Sequence, residues 1–393
     1  MSLFPFSCTR HLGVFLTCLV LAVSLTGCSR GDPRRAFYSL LLSIDLIRGP
    51  EEGDFLGKVT PAPILDRRLI QISGKTLEAD FYWPQVQGVR PGLLLNHGLI
   101  DTGKDDPRLV WLARRLAQAG FVVMVPDFRG MRNFRVGIED VEEIVNAFHY
   151  LGTLRRQVDT DRLGMMSFSY GAGPTLIAAA DRRIREKVKF IVIFGGYYDL
   201  KSVVSYLITG VYPGEEAGIK RSPPASAKWL FVLHNLQLVE NPEDRSFLER
   251  IARRKLRNEK AKVEDLASRL GEEGGLIYRL LTSRDPAMVS RLLDQMPPRL
   301  KRYLDDLSPK RIISRVDATL IIAHGEQDSM IPYEESVKLV NAFAERGRVT
   351  WAILKFYGHT NPRASGSPST EDVSLYWSDF RRFYSLVYAL LGQ

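Results

Sequence analysis

The sequence predicts an α/β fold, a mostly parallel sheet with helices on both faces and an inserted all-helical cap. Three observations carry this expectation. Between about residues 90 and 200, short apolar runs alternate with stretches of helical periodicity, as parallel strands joined by crossover helices require. From Lys201 to about Val316 strand signals vanish and helical ones accumulate. The alternation then resumes at Ala318. With 393 residues, 45% of them hydrophobic and 25% charged, the chain has ample material for a sizeable core.

Residues 1–28 have the layout of a signal peptide. Arg10 and His11 precede the apolar run Leu12 to Leu25, which ends in Leu25-Thr-Gly-Cys28. The run is short for a membrane span. All three cysteines, Cys8, Cys18 and Cys28, lie in this stretch. The ending resembles a bacterial lipoprotein signal. That resemblance implies lipidation of Cys28 and a membrane anchor through it, each buried methylene contributing about 0.8 kcal/mol. Ser29 rather than aspartate after the cysteine implies the cell envelope at the periplasmic face of the outer membrane.

Residues 29–60 are expected to form a tether. Within it Phe37, Leu40, Leu41, Ile44 and Ile47 recur near helical spacing, so Arg34 to Arg48 predicts an amphipathic helix. Such a helix either docks on the domain or lies on the membrane, and docking is expected. Residues 61–200 form the first part of the core. Arg68 to Trp83 reads as a hairpin turning at Ser73-Gly74-Lys75. Leu93–Asn96 is the first core strand. Asp106-Pro107 caps and starts a helix whose buried stripe is Leu109, Leu112, Ala113, Leu116 and Ala117. Strands at Phe121–Val125, Leu163–Met166 and Val188–Phe194 and a helix at Val141–Leu151 follow.

The block 201–316 shows helix starts at Asn241-Pro242 and Asp285-Pro286, and breaks at Pro223-Pro224, Gly274-Gly275 and Pro297-Pro298. It is expected to be a cap of about five helices over the C-terminal ends of the strands, excluding water and shaping the pocket. The alternative is a structural or partner-binding insertion remote from the site. Residues 317–393 complete the core. They carry two more apolar strands, from Ala318 and from Trp351, and a last helix. That helix has a capping box, Ser369-x-x-Asp372, and a stripe of Trp377, Phe380, Tyr384, Val387 and Leu391.

The chemistry centres on Leu163-Gly-Met-Met-Ser-Phe-Ser-Tyr-Gly-Ala-Gly173. An apolar run, a small residue two before Ser169 and Gly171 two after it form a nucleophile elbow. The chain leaves a strand, turns sharply with the serine at the apex and starts a helix. Ser167 stands where a glycine is usual. Pro174 falls in the first turns of the helix, so an irregular helix start is expected. A serine hydroxyl needs a base within hydrogen-bond reach. Among the histidines only His359 follows the acid position in a loop after a strand. Asp328 in Gly325-Glu-Gln-Asp328 is the expected orienting acid. Asp199 competes for that role and Glu326 is a weaker candidate.

Serine, acid and histidine in this order, with the His97-Gly98 turn after an apolar strand, resemble the α/β-hydrolase superfamily. Pro126-Asp-Phe-Arg-Gly130 and Asp159-Thr-Asp-Arg-Leu-Gly164 resemble its dienelactone-hydrolase and prolyl-oligopeptidase-like esterase branches. The resemblance covers roughly residues 65–200 and 317–393. It implies a serine hydrolase acting on a small-molecule carboxylic ester, with backbone N–H groups of Leu99 and Tyr170 as the oxyanion hole. His97, Gly98 and Gly171 would support loop geometry. His149, His234 and His324 are expected to be structural.

No His/Cys/Asp/Glu cluster has metal spacing, and no cofactor or metal is expected. The net charge of +9 is spread along the chain without an aromatic-plus-basic module, so no nucleic acid partner is expected. Oligomeric state, acyl group and alcohol are left open. An acyltransferase, thioesterase or peptidase on the same residues, and a non-catalytic envelope binding lipoprotein, are the competing readings.

Overall fold

The computed structural model describes residues 32–393 except 73, 213–222, 347, 356 and 360–371. The signal segment with Cys28, Ser29, the turn residue Ser73 and Ser369 of the expected capping box lie outside the described residues. No helix among the described residues is long and apolar enough to cross a membrane.

Helix α1 (Pro33–Arg48) comes first, its N-terminus capped by Asp32, which accepts the Arg34 N–H at 2.9 Å. The hairpin β1 (Ile64–Ile72) and β2 (Lys75–Trp83) follows as expected. Then come β3 (Arg90–Asn96), α2 (Pro107–Gln118), β4 (Val122–Pro126), α3 (Glu139–Leu151), β5 (Val158–Phe168), α4 (Ala172–Ala179) and β6 (Phe190–Phe194). The insertion carries α5 (Leu200–Thr209), α6 (Ala225–His234), α7 (Pro242–Arg257), α8 (Glu272–Thr282), α9 (Pro286–Gln295) and α10 (Pro298–Asp306). The chain closes with β7 (Thr319–Gly325), α11 (Tyr333–Phe343), β8 (Val349–Leu354) and α12 (Asp372–Leu390).

The eight strands form one sheet in the order β1-β2-β4-β3-β5-β6-β7-β8. From β4 to β8 every neighbouring pair is parallel, and the hairpin adds an antiparallel edge. The core strands are apolar on both faces because each face is covered. Met165, Ile191 and Ile322 point to the layer holding α3, α4 and α11. Met166, Val192 and Ile321 point to the layer of α1, α2 and α12. Alternate residues of a strand face opposite sides, so neighbours in sequence serve different cores.

Within the stretch expected as a tether, α1 is docked. It buries Ala36 and Leu40 against Tyr384 of α12, while Leu41 and Leu42 join the sheet core. Arg35 donates to the Tyr388 carbonyl at 2.8 Å and stacks over its ring. Fully buried Asp45 accepts the N–H groups of Phe55 and Leu56, which ties the chain after the helix back onto it.

The insertion has an apolar cluster of its own, built around Trp229, Leu248, Ile251, Leu280 and Val289. It joins the core through specific polar ties. The Asn235 side chain accepts the Val136 N–H and donates to the Phe134 carbonyl, and Tyr197 donates to the Leu307 carbonyl.

Candidate active site

Ser169 lies where β5 ends, in a helical turn over Ser169–Gly171 that precedes α4. Its φ is +54°, one of two positive values among the described non-glycine residues. A side chain costs energy in this region, so the turn is held by its surroundings. Close packing shows how. A methyl group on Gly171 would fall 2.5 Å from the His97 carbonyl oxygen, and one on Gly98 would fall 3.2 Å from Ser169 Cβ. Ser167, fully buried, supplies the small residue on the strand side. Pro174 sits in the first turn of α4, after the irregular start that was expected. Gly171→Ala is expected to destabilise the fold by about 1–3 kcal/mol through overpacking. Thermal melting checks it, and an unshifted melting temperature would show that the loops yield easily.

The elements bring three of the expected residues together. His359 Nε2 is 2.8 Å from Ser169 Oγ, and His359 Nδ1 is 2.7 Å from Asp328 Oδ2. Asp328 is fully buried beyond the end of β7. Its other oxygen accepts the N–H groups of Met330 at 2.8 Å and Ile331 at 2.9 Å. Burial alone would raise its pKa. Attraction to His359 and hydrogen bonds from His324 and His359 outweigh that and hold it below the ordinary carboxylate range. Asp199 is engaged elsewhere: it caps α5, accepting the Lys201 N–H, and pairs with Lys310 at 2.8 Å.

His97 and Tyr170 make specific hydrogen bonds beside the elbow. His97 Nε2 accepts the Phe128 N–H at 3.1 Å, which leaves the proton on Nδ1 to donate to the Gly98 carbonyl at 2.8 Å. Burial lowers the His97 pKa, so the ring is a neutral brace for the turn that carries Leu99. Leu99 and Ser169 line the same cavity. Tyr170 is the second residue of the helical turn, where backbone N–H groups lack intrahelical acceptors. Its hydroxyl donates to Asp140 Oδ2 at 2.9 Å and accepts the Gly137 N–H.

Burial pushes Asp140 up to about 7, against the hydrogen bond from Tyr170, which favours the charged form. A folded-state pKa above the unfolded value of about 3.9 means stability that is present below pH 4 and lost as pH rises toward 7. Asp140→Asn is therefore expected to flatten the fall of melting temperature between about pH 4 and 7. Equal slopes for variant and wild type would show that Asp140 does not titrate there.

Two features were not foreseen. His324, expected to be structural, is fully buried, with Nε2 3.3 Å from Asp328 Oδ2 and Nδ1 2.6 Å from Ser336 Oγ. It braces the acid directly. The second is a cavity of about 350 Å³ beneath Ser169 and His359, lined by residues of the sheet, α2, α12 and the end of α1. None of its described lining residues lies in 201–316. The inserted helices pack instead beside residues 134–137 and 197–200, so shaping of the pocket by them is not seen among the described residues. His149 is exposed and His234 lies near Phe134. No group of three or more His, Cys, Asp or Glu able to hold a metal occurs among the described residues.

The architecture matches known structures. The acylaminoacyl peptidase of Pyrococcus horikoshii superposes with a TM-score of 0.50 at 15% identity, over 87% of this chain and 43% of that one. The fold is that of the α/β-hydrolases. This chain spans less than half the length of that peptidase. A 2,6-dihydroxy-pseudo-oxynicotine hydrolase aligns over 96% of this chain and 87% of its own, at 15% identity and a TM-score of 0.46. No protein-family model and no curated protein matches the chain. Ser169 follows β5, Asp328 follows β7 and His359 follows β8, all at the same end of the parallel strands, with β6 between the first two.

Proposed function

We propose that the protein is a serine hydrolase that cleaves carboxylic esters through an acyl-enzyme on Ser169. The observation that carries this is the unbroken chain Asp328–His359–Ser169, with heavy-atom separations of 2.7 and 2.8 Å. His359 Nε2 takes the hydroxyl proton as Ser169 Oγ attacks the carbonyl carbon. The negative charge that develops on the carbonyl oxygen is held by the Leu99 and Tyr170 N–H groups. Collapse of the tetrahedral species breaks the ester C–O bond, and His359 returns the proton to the departing alkoxide. Water then repeats the sequence on the acyl-enzyme and frees the acid. Asp328 holds the imidazole with its proton on Nδ1 and stabilises the imidazolium.

Thioesters and short peptides present the same carbonyl chemistry, and an acyltransferase differs only in the nucleophile of the second half. Attachment to the cell envelope rests on the sequence pattern at Cys28 alone. Four residues separate Cys28 from Pro33, so five Cα–Cα steps span at most about 18 Å when extended. A lipid on Cys28 would therefore hold α1 close to the membrane surface.

The test is labelling of the purified protein with a fluorophosphonate, which reacts with activated serines. Labelling lost in Ser169→Ala and in His359→Ala supports the reading. Absence of labelling on folded wild type would move weight to an envelope binding protein.

A further inference from the structure

The cavity under Ser169 has a direction. Phe168, Phe194 and Ala323 are register partners across β5, β6 and β7, and all three line it. Met166, Val192 and Ile321 form the next row, two residues earlier in each strand, and line it too. Residues two apart on a strand share a face. The floor therefore runs from Ser169 back along the strands, about 10 Å at roughly 3.3 Å per residue. Leu112 of α2 and Val387 of α12 wall it, and Leu46 at the end of α1 closes it.

The closure is clamped. The Tyr357 hydroxyl, itself at the cavity, donates to the Leu46 carbonyl at 2.7 Å, and Trp111 Nε1 donates to the Gly53 carbonyl at 3.2 Å. Among the described lining residues the charged ones are Asp106 and Arg108, paired with each other.

We propose that this cavity is the acyl pocket, and that it takes an unbranched alkanoyl chain of medium length. This rests on the serine-hydrolase reading. A water fills about 30 Å³, so 350 Å³ accepts on the order of ten non-hydrogen atoms. A peptide in the same place would leave its N–H and C=O groups without partners on an apolar floor. An alkyl chain needs none. The group that fills the channel is the acyl side, because it stays bonded to Ser169 while the alcohol departs and water enters.

The experiment measures kcat/KM on p-nitrophenyl esters from acetyl to tetradecanoyl, for wild type, Val192→Phe on the floor and Leu46→Trp on the closing helix. Circular dichroism and melting show that each variant is folded, and Leu46, half-buried, is the substitution the fold bears more easily. Wild type is expected to gain about fourfold per methylene until the pocket is full at about eight to ten carbons, and then to fall. Both variants are expected to lower the ratio of decanoyl to acetyl kcat/KM by about tenfold or more.

A profile that is flat or falls from acetyl onward overturns the proposal. So does a length dependence that follows the alcohol in a series of alkyl acetates, or a preference for aromatic amino-acid esters. Binding of decanoate to Ser169→Ala separates the two readings. Decanoate bound by Ser169→Ala and weakened by Val192→Phe, without ester turnover by wild type, would keep the pocket and remove the hydrolase. Ester turnover and labelling without decanoate binding or chain-length preference would do the reverse.

Discussion

Replacing Ser169 by Ala is expected to lower kcat/KM for an activated ester by about ten-thousand- to million-fold and to abolish fluorophosphonate labelling. His359→Ala should cost nearly as much, and the double variant little more than either single one. Nucleophile and base act as a unit, so once either is missing the other has nothing to do. On the proposed mechanism, residual turnover would come from binding and from the N–H groups of Leu99 and Tyr170. The fold should survive, because what Ser169 Oγ gives up is its bond to His359 Nε2, a contact the reaction needs rather than the packing. The alanine inherits the same backbone, φ +54°, with the same cost. Steady-state kinetics and melting curves on the three variants check this. Ser169→Ala retaining more than about a tenth of wild-type turnover would place the nucleophile elsewhere.

The strand–helix alternation and the elbow were legible because each is a local pattern, and the order of serine, acid and histidine because it is read along the chain. An apolar run with small neighbours dictates the turn at Ser169, and Asp106-Pro107 dictates a helix start whatever surrounds it. The docking of α1 was legible in its apolar stripe. The cavity was not, because it arises from register: Met166, Val192 and Ile321 are far apart in sequence and meet only once β5, β6 and β7 pair. Periodicity likewise gives the inserted helices but not the direction in which they lean. That is why the sequence suggested a cap shaping the pocket while α2 and α12 supply its walls. His324 escaped for a related reason. It sits inside an apolar strand, and nothing in the sequence says that the chain beyond Gly325 folds back to bring Asp328 and Ile331 onto its ring.

Asp328→Asn is expected to lower kcat by about ten-thousand-fold while leaving the site assembled. The carboxylate accepts from both sides: Oδ1 from the N–H groups of Met330 and Ile331, Oδ2 from His359 Nδ1, with His324 Nε2 nearby. An asparagine oxygen turned toward Met330 and Ile331 keeps those two bonds and puts the amide N–H₂ toward His359. The imidazole must then accept at Nδ1 and carry its proton on Nε2, facing Ser169, where it is unable to take the hydroxyl proton.

The same substitution separates catalysis from stability through pH. The wild-type carboxylate has a folded-state pKa below its unfolded value, so its stabilising effect is present above about pH 4 and is lost as pH falls toward the folded pKa. The melting deficit of Asp328→Asn should therefore shrink on acidification below about pH 4, while its loss of kcat at neutral pH is unaffected by anything that restores stability. A variant that keeps kcat within about tenfold of wild type would mean that another acid orients His359. Asp199 is the first place to look, and releasing it would require breaking its pairing with Lys310 and its cap on α5.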